Sequence, residues 1–196
     1  MLSFASDENA DLQPRTLIRG TGLAPLLPFI DMAFGAKGRE TFASSASKEL
    51  IKAISEPFIA AAWYPFDLAM DAADALVALA GHPRILREQA AYSLDYATNV
   101  VFRAIFKLGS PEFMVARSDQ VWRKYYSRGR MTCTASKGHA TVELHSFPSL
   151  RLNYDRTIQY GIEAVLVKAG AKNVIAKHPR CVVRGDTTCV FDFEWR

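Results

Sequence analysis

The sequence predicts an α+β fold: an N-terminal helical bundle packed on a four-stranded, mainly antiparallel sheet. Three observations carry this. Apolar residues recur at helical spacing through the first part of the chain, most clearly at Leu86, Ala90, Leu94, Ala97, Val101, Ile105 and Leu108. Beyond Gly129 the period becomes an alternation, over 131–136 and 139–147. The last segment alternates again, with Cys189, Phe191, Phe193 and Trp195 on one side and Val190, Asp192 and Glu194 on the other. A helix between two hairpins gives the order β-β-α-β-β, and hairpins make the sheet antiparallel with helices over one face.

Each element has a local reason. Residues 1–14 are polar and end at Pro14, and are expected to form a mobile tail before a single domain spanning 15–196. A short strand is expected at 15–19. A helix at 23–34 should be kinked or restarted around Pro25 and Pro28, because proline removes a backbone donor. A turn at 35–38 leads to one helix over 41–54. Trp63-Tyr64-Pro65 ends the helical pattern, since the residue before a proline avoids helical geometry, and it reads as a packing corner between helices. A helix then runs to Ala80 with Leu68, Ala72, Ala75, Leu76 and Leu79 inward, and Gly81 stops it. Asp67, Asp71 and Asp74 share one face of that helix, read as solvated, and their charge rules out a membrane-spanning segment there.

A long central helix is expected over 83–108. In Ser110-Pro111-Glu112 the serine suits the N-cap, proline the first position, and glutamate the positive end of the helix dipole, for a helix reaching about Tyr126. Lys137-Gly138 marks a hairpin turn. A helix starting at Asn153 or Asp155 should turn Ile158, Ile162, Val165, Leu166 and Ala169 inward and end at Gly170. The second hairpin, 173–183 with 187–195, turns around Arg184-Gly185-Asp186.

Composition narrows the function. With 196 residues, 49% apolar and 22% charged, the chain needs no disulfide or metal to hold a core, and wholesale disorder is excluded. Three cysteines exclude a disulfide scaffold and point to a reducing, cytoplasmic setting. No basic start leads into an apolar run, so no signal peptide is expected. The net charge of +4 is too small to imply nucleic-acid binding. No GxSxG, Walker A, HExxH or GxGxxG pattern occurs, so the expectation is a non-enzymatic protein without a cofactor.

Two groups of residues draw attention. Cys181 and Cys189 lie four residues either side of the turn at Gly185, which can set them opposite each other on neighbouring strands about 5 Å apart. Three readings stand: buried thiols, a metal or redox site completed by Cys133 or His178, or a disulfide. Separately, Arg103, Lys107, Arg117, Arg123, Lys124, Arg128 and Arg130 face only Glu112 and Asp119, with Trp122, Tyr125 and Tyr126 interleaved. That stretch reads as a solvated helix face, an anionic-ligand site or a surface for an acidic partner. The candidate ligand-binding set is Trp63, Tyr64 and Tyr126 as aromatic walls, with Arg117 or Arg123 as charged anchor. The expected function is a small-molecule-binding or sensory domain with a pocket between helices and sheet. The alternative is a dimerising interaction module with a vestigial pocket.

The pattern Cys181-x3-Gly185-Asp186-x2-Cys189-x-Phe191, closed by Trp195, resembles the C-terminal signature of vinyl-reductase-like small-molecule-binding domains. Their superfamily includes haem-nitric-oxide-binding sensors and Golgi transport tethering subunits. Trp63-Tyr64-Pro65, Ser110-Pro111-Glu112, Val121-Trp122-Arg123 with Tyr125-Tyr126 and Gly129, and Phe147-Pro148 are similar to an uncharacterised, largely myxobacterial paralogue family. The resemblance spans about residues 15–196. It implies helices on a four-stranded antiparallel sheet, a pocket or groove between the layers, and a sensor, regulatory input or interaction module with no established catalytic activity. Haem binding in this superfamily needs a proximal histidine and a Tyr-x-Ser-x-Arg element. This chain offers Tyr125-Tyr126-Ser127-Arg128-Gly129, with glycine in the arginine place, and His82 sits at a helix junction before Pro83. Haem is therefore not expected.

Overall fold

The computed structural model describes residues 15–97, 106, 109–147 and 150–196. The tail expected at 1–14 lies outside the described residues. So do Val101, Ile105 and Leu108, the far end of the predicted central helix.

The chain opens with strand β1 (Leu17–Arg19) and helices α1 (Gly20–Leu23), α2 (Leu26–Phe34), α3 (Gly38–Ser45) and α4 (Lys48–Ala53). Strand β2 (Trp63–Pro65), α5 (Asp67–Ala80) and α6 (Ile85–Ala97) follow. Then come α7 (Pro111–Val115), α8 (Ser118–Tyr125), β3 (Arg130–Ser136), β4 (His139–His145), α9 (Leu152–Lys168), β5 (Ile175–Arg180) and β6 (Cys189–Glu194). The four C-terminal strands form one antiparallel sheet in the order β3-β4-β6-β5.

The alternation of β6 is realised as read. Cys189, Phe191 and Phe193 are fully buried, and Trp195 is 8% exposed. Ala140, Val142 and Leu144 join them from β4, and Leu166 and Ile162 from α9, in one continuous core. Burying each such side chain stabilises the fold by ~1.5–3 kcal/mol. The other face is polar: Thr141 donates to Asp192 at 2.7 Å and Lys177 pairs with Glu194 at 2.9 Å. Val190 is the exception, being buried on that outer side. Glu143 and Arg180 flank it in register on the two neighbouring strands, and their ion pair at 3.4 Å spans across it.

Several expectations need correction. The helix over 41–54 is two helices. Ala46 is extended, and the Ser47 hydroxyl caps α4 by accepting from Leu50 N while donating to Asp71 Oδ2 at 2.7 Å. The helix after Ser110 is also two, broken at Ala116–Arg117, where the Ser118 hydroxyl takes the Val115 carbonyl. Its start is as read, with Ser110 capping Phe113 N, but Glu112 does more than face a dipole: it accepts from Gly138 N and so ties α7 to the first hairpin turn. The helix at 23–34, by contrast, restarts around Ala24–Pro25, one of the two forms expected there. Trp63-Tyr64-Pro65 is not a corner but a strand, paired antiparallel with Leu17–Arg19. Nor is the aspartate face of α5 simply solvated: Arg151 bridges Asp71 and Asp74, and Asn153 donates to Asp74. Among the described residues, no helix is long and apolar enough to cross a membrane.

Candidate functional site

The residues that build the site come almost wholly from the helices, with Met131 of β3 the four-stranded sheet's contribution among the described residues. Helix α6 supplies Gln89, Ala90, Ser93 and Leu94. Helix α9, whose inward positions step by three and four, supplies Tyr154, Thr157, Ile158, Gly161, Ile162 and Val165. Between them, α7 and α8 contribute Met114, Val115, Trp122 and Tyr126, and β1 closes one side with Ile18. Together they line a partly open cavity of about 240 Å³. Two ion pairs tie the flanking helices α6 and α9: Arg87 with Glu163 at 3.0 Å, and Asp95 with Lys168.

The wall near α8 is aromatic. Trp122 and Tyr126 stack with ring centroids 3.9 Å apart, and Phe147 meets both edge-on. Tyr126 and Tyr154 share a hydrogen bond between their hydroxyls at 2.7 Å. Burial pushes the Tyr126 hydroxyl up to about 12, the bond to Tyr154 only partly opposing it. Burial raises Tyr154 well above the usual tyrosine value too, so both rings are neutral at physiological pH.

Of the five ligand-binding candidates, Tyr126 lines this cavity, and Trp63, Tyr64, Arg117 and Arg123 stand outside its wall. Trp63, Arg123 and Tyr126 meet instead around an open depression, with Leu17, Ser127, Gly129 and Arg130. There Arg19 lies 4.1 Å over the Trp63 ring, and Arg123 is paired with Asp119 at 2.7 Å. The Tyr64 hydroxyl accepts from Ile59 N, and Arg117 folds over the Phe113 ring while donating to its carbonyl. Trp122, Tyr125 and Tyr154 are the cavity aromatics the candidate set missed, along with its aliphatic lining. Trp122 follows Ser118 by four, the helical repeat that would have placed it on an inner face.

A second cluster lies on the sheet side of α9. Asp155, His178, Cys181 and Cys189 bring one ligand atom each to within 4.8 Å of one another. The β5–β6 connection builds it. Gly185 takes a left-handed conformation (φ 94°), and Asp186 accepts from Cys181 N at 2.7 Å, which turns both cysteines inward. The Cys181 thiol donates to Asp155 Oδ2 at 3.2 Å, and His178 Nδ1 stands 3.2 Å from the same oxygen. His178 stacks on Phe191 with centroids 4.2 Å apart. Asp155 Oδ1 and His178 Nε2 are buried without a hydrogen-bond partner. Burial raises the Cys181 thiol, pushes Cys189 up to about 12, and lowers His178. All three cysteines are free thiols. Cys133 lies on β3 outside the cluster. A carboxylate, an imidazole and two thiols are the donor set of a Zn²⁺-type centre, whose ~2.0–2.3 Å bonds set tetrahedral ligands roughly 3.3–3.8 Å apart.

Haem does not fit the residues present. The chain's histidines are His82, His139, His145 and His178, and none lines the cavity. Gly129 stands where the arginine of the propionate clamp is needed, and has no room for one. It has φ +78°, and a Cβ there would meet Phe147 at 2.7 Å and the Trp122 Nε1 at 3.0 Å. The cavity is also smaller than the ~300–1,000 Å³ usual for pockets enclosing drug-sized ligands.

No family model matches the sequence, and no curated protein matches it. Solved structures do match in fold. The Shewanella oneidensis H-NOX protein, in its Fe(II)NO state, shares 12% identity over 91% of this chain and 99% of its own, with a TM-score of 0.65. The IWP-051-bound H-NOX of Shewanella woodyi, in its Fe(II)CO state, shares 11% over 89% of this chain and 93% of its own, with a TM-score of 0.61. The chain thus has the fold of H-NOX domains over about nine-tenths of its length.

Proposed function

We propose that this protein is a non-enzymatic sensory or regulatory domain that binds a small molecule other than haem between its helices and its sheet. The observation that carries the reading is the aromatic-walled cavity bounded by α6, α8 and α9. A ligand there touches three elements at once, so its binding free energy can bias their packing and be read at the surface. The fold shared with the Fe(II)NO- and Fe(II)CO-ligated H-NOX proteins supports a ligand-binding domain. The test is native mass spectrometry and an ultraviolet-visible spectrum of protein purified without additions. The reading expects a small adduct or an empty cavity open to added ligand, and no Soret band after haem is supplied. A stoichiometric haem complex with a sharp Soret band would overturn it.

A second site belongs to the same proposal. The cluster of Asp155, His178, Cys181 and Cys189 is read as a structural Zn²⁺-type centre, carried by one ligand atom from each of the four lying within 4.8 Å of one another. Binding would displace the thiol protons. A dimerising module remains the alternative function, and light scattering of the eluted protein separates it: a dimer with no ligand uptake would favour that reading.

A further inference from the structure

We infer that the cavity selects an uncharged, mainly apolar molecule bearing one hydroxyl or carbonyl group, and that the Tyr126–Tyr154 hydroxyl pair reads that group. This rests on the cavity being a binding site.

The argument is one of complementary chemistry. The wall is built from aliphatic and aromatic carbon, with Ile18, Trp122, Ile158 and Ile162 among its largest contributors. None of the described lining residues is charged. A buried carboxylate or ammonium group would therefore lose its hydration with no counter-ion in the wall, a cost that neutral ligands avoid.

Several polar groups of the wall are engaged, Gln89 donating to the Ser93 hydroxyl at 2.9 Å. The hydroxyls of Thr21, Ser118 and Thr157 donate to the carbonyls of Ala60, Val115 and Asn153. The tyrosine pair differs. Two phenol groups carry two protons, and a hydrogen bond between them uses one. The second proton has no acceptor among the described residues, and the outer oxygen keeps a lone pair. Both rings stay neutral, because burial disfavours the phenolate. The pair therefore offers a ligand one donor and one acceptor at a fixed place. A hydroxyl satisfies either, and a carbonyl takes the donor. Either tyrosine can be the inner donor of the pair, so the arrangement adapts to a ligand arriving from α8 or from α9.

The experiment compares three probes of similar shape against the full chain: cyclohexanol, chlorocyclohexane and cyclohexanecarboxylate. Affinity is read by calorimetry, and the site by the ¹³C-methyl shifts of Ile18, Ile158 and Ile162. Cyclohexanol is expected to bind once, shift those methyls, and exceed chlorocyclohexane by roughly two- to twelve-fold, the value of one neutral hydrogen bond. Cyclohexanecarboxylate is expected to bind at least tenfold more weakly than the alcohol. The double variant Tyr126→Phe/Tyr154→Phe should erase the preference for the alcohol while still taking chlorocyclohexane, which shows that the cavity persists. Equal affinity for alcohol and chloride in the wild type, a carboxylate that binds as tightly as the alcohol, or a preference surviving the double variant would overturn the inference and leave the cavity as a binding site. Failure of all three probes to shift the methyls would overturn both.

Discussion

Substituting Gly129 by alanine is expected to cost more than the same change at the other described glycines with positive φ. Two costs add. The backbone sits at φ +78°, where an L-residue pays ~1–2 kcal/mol. The new Cβ would also stand 2.7 Å from Phe147 Cδ2 and 3.0 Å from Trp122 Nε1, well inside the ~3.5–4.0 Å of an ordinary carbon contact. Neither neighbour gives easily: Phe147 is buried, and Trp122 is held by its indole hydrogen bond to the Arg128 carbonyl at 2.8 Å and its stack on Tyr126. Overpacking of this kind costs ~1–3 kcal/mol, for a total of about 2–5 kcal/mol. In a chain of this size that lowers Tm by roughly 4–20 °C. Gly81→Ala is the control. It shares the left-handed backbone, at φ +72°, but nothing lies within 4 Å of its Cβ position, so roughly 2–8 °C is expected. Thermal unfolding followed by tryptophan fluorescence measures both. Equal losses for the two variants would refute the claim that position 129 is closed by the aromatic wall, and with it the steric argument against a haem clamp.

Other outcomes follow from the same coordinates. Tyr154→Phe alone strands the Tyr126 hydroxyl and should destabilise by ~1–3 kcal/mol, whereas adding Tyr126→Phe should cost less than the sum of the singles; strict additivity in urea titrations would show the pair is not coupled. Burial raises the Glu163 carboxyl above its ordinary 4.5, with Arg87 opposing. The folded state thus holds the proton more tightly than the unfolded one, and this contribution to stability is full below about 4.5 and falls as pH rises through the elevated folded value. Glu163→Gln should flatten that part of the Tm-against-pH curve, and an unchanged slope would contradict it. Equimolar Zn²⁺ should raise Tm and a chelator lower it in the wild type but not in Cys181→Ser/Cys189→Ser. Elemental analysis finding less than a tenth of an equivalent of bound metal after Zn²⁺ loading would count against the centre.

The sheet was legible because one face of it is buried and a one-residue slip would expose Phe191 and Phe193. The presence of both hairpins and the inward side of β6 followed from alternation and turn residues, but the strand expected over 173–183 ends at Arg180, and Val182–Arg184 form a 3-10 turn instead. The helix breaks were not legible. Those at Ala46–Ser47 and Ala116–Arg117 depend on serine hydroxyls, and the first of these also reaches Asp71, 24 residues away, which no local pattern contains. The strand at Trp63 was missed because its partner, β1, lies more than 40 residues earlier.

The site divides the same way. Cys181, Cys189 and His178 were in view from the hairpin, but Asp155 was read as a helix start. It lies three residues before Ile158 and seven before Ile162, squarely on the inner stripe, and a carboxylate on such a stripe signals a buried partner. The arginines drew attention by their number, yet Arg117 donates to the Phe113 carbonyl of α7 and Arg123 pairs with Asp119 on its own helix. Charge density marked a surface; the cavity is made of neutral residues that no count of charge can reveal.

The most direct test of the account is a crystal of the protein pressurised with xenon, which enters apolar cavities and scatters strongly. The account predicts a xenon peak bounded by Ile18, Trp122, Tyr126, Ile158 and Ile162. Electron density showing those side chains collapsed onto one another, with no xenon among them, would contradict it.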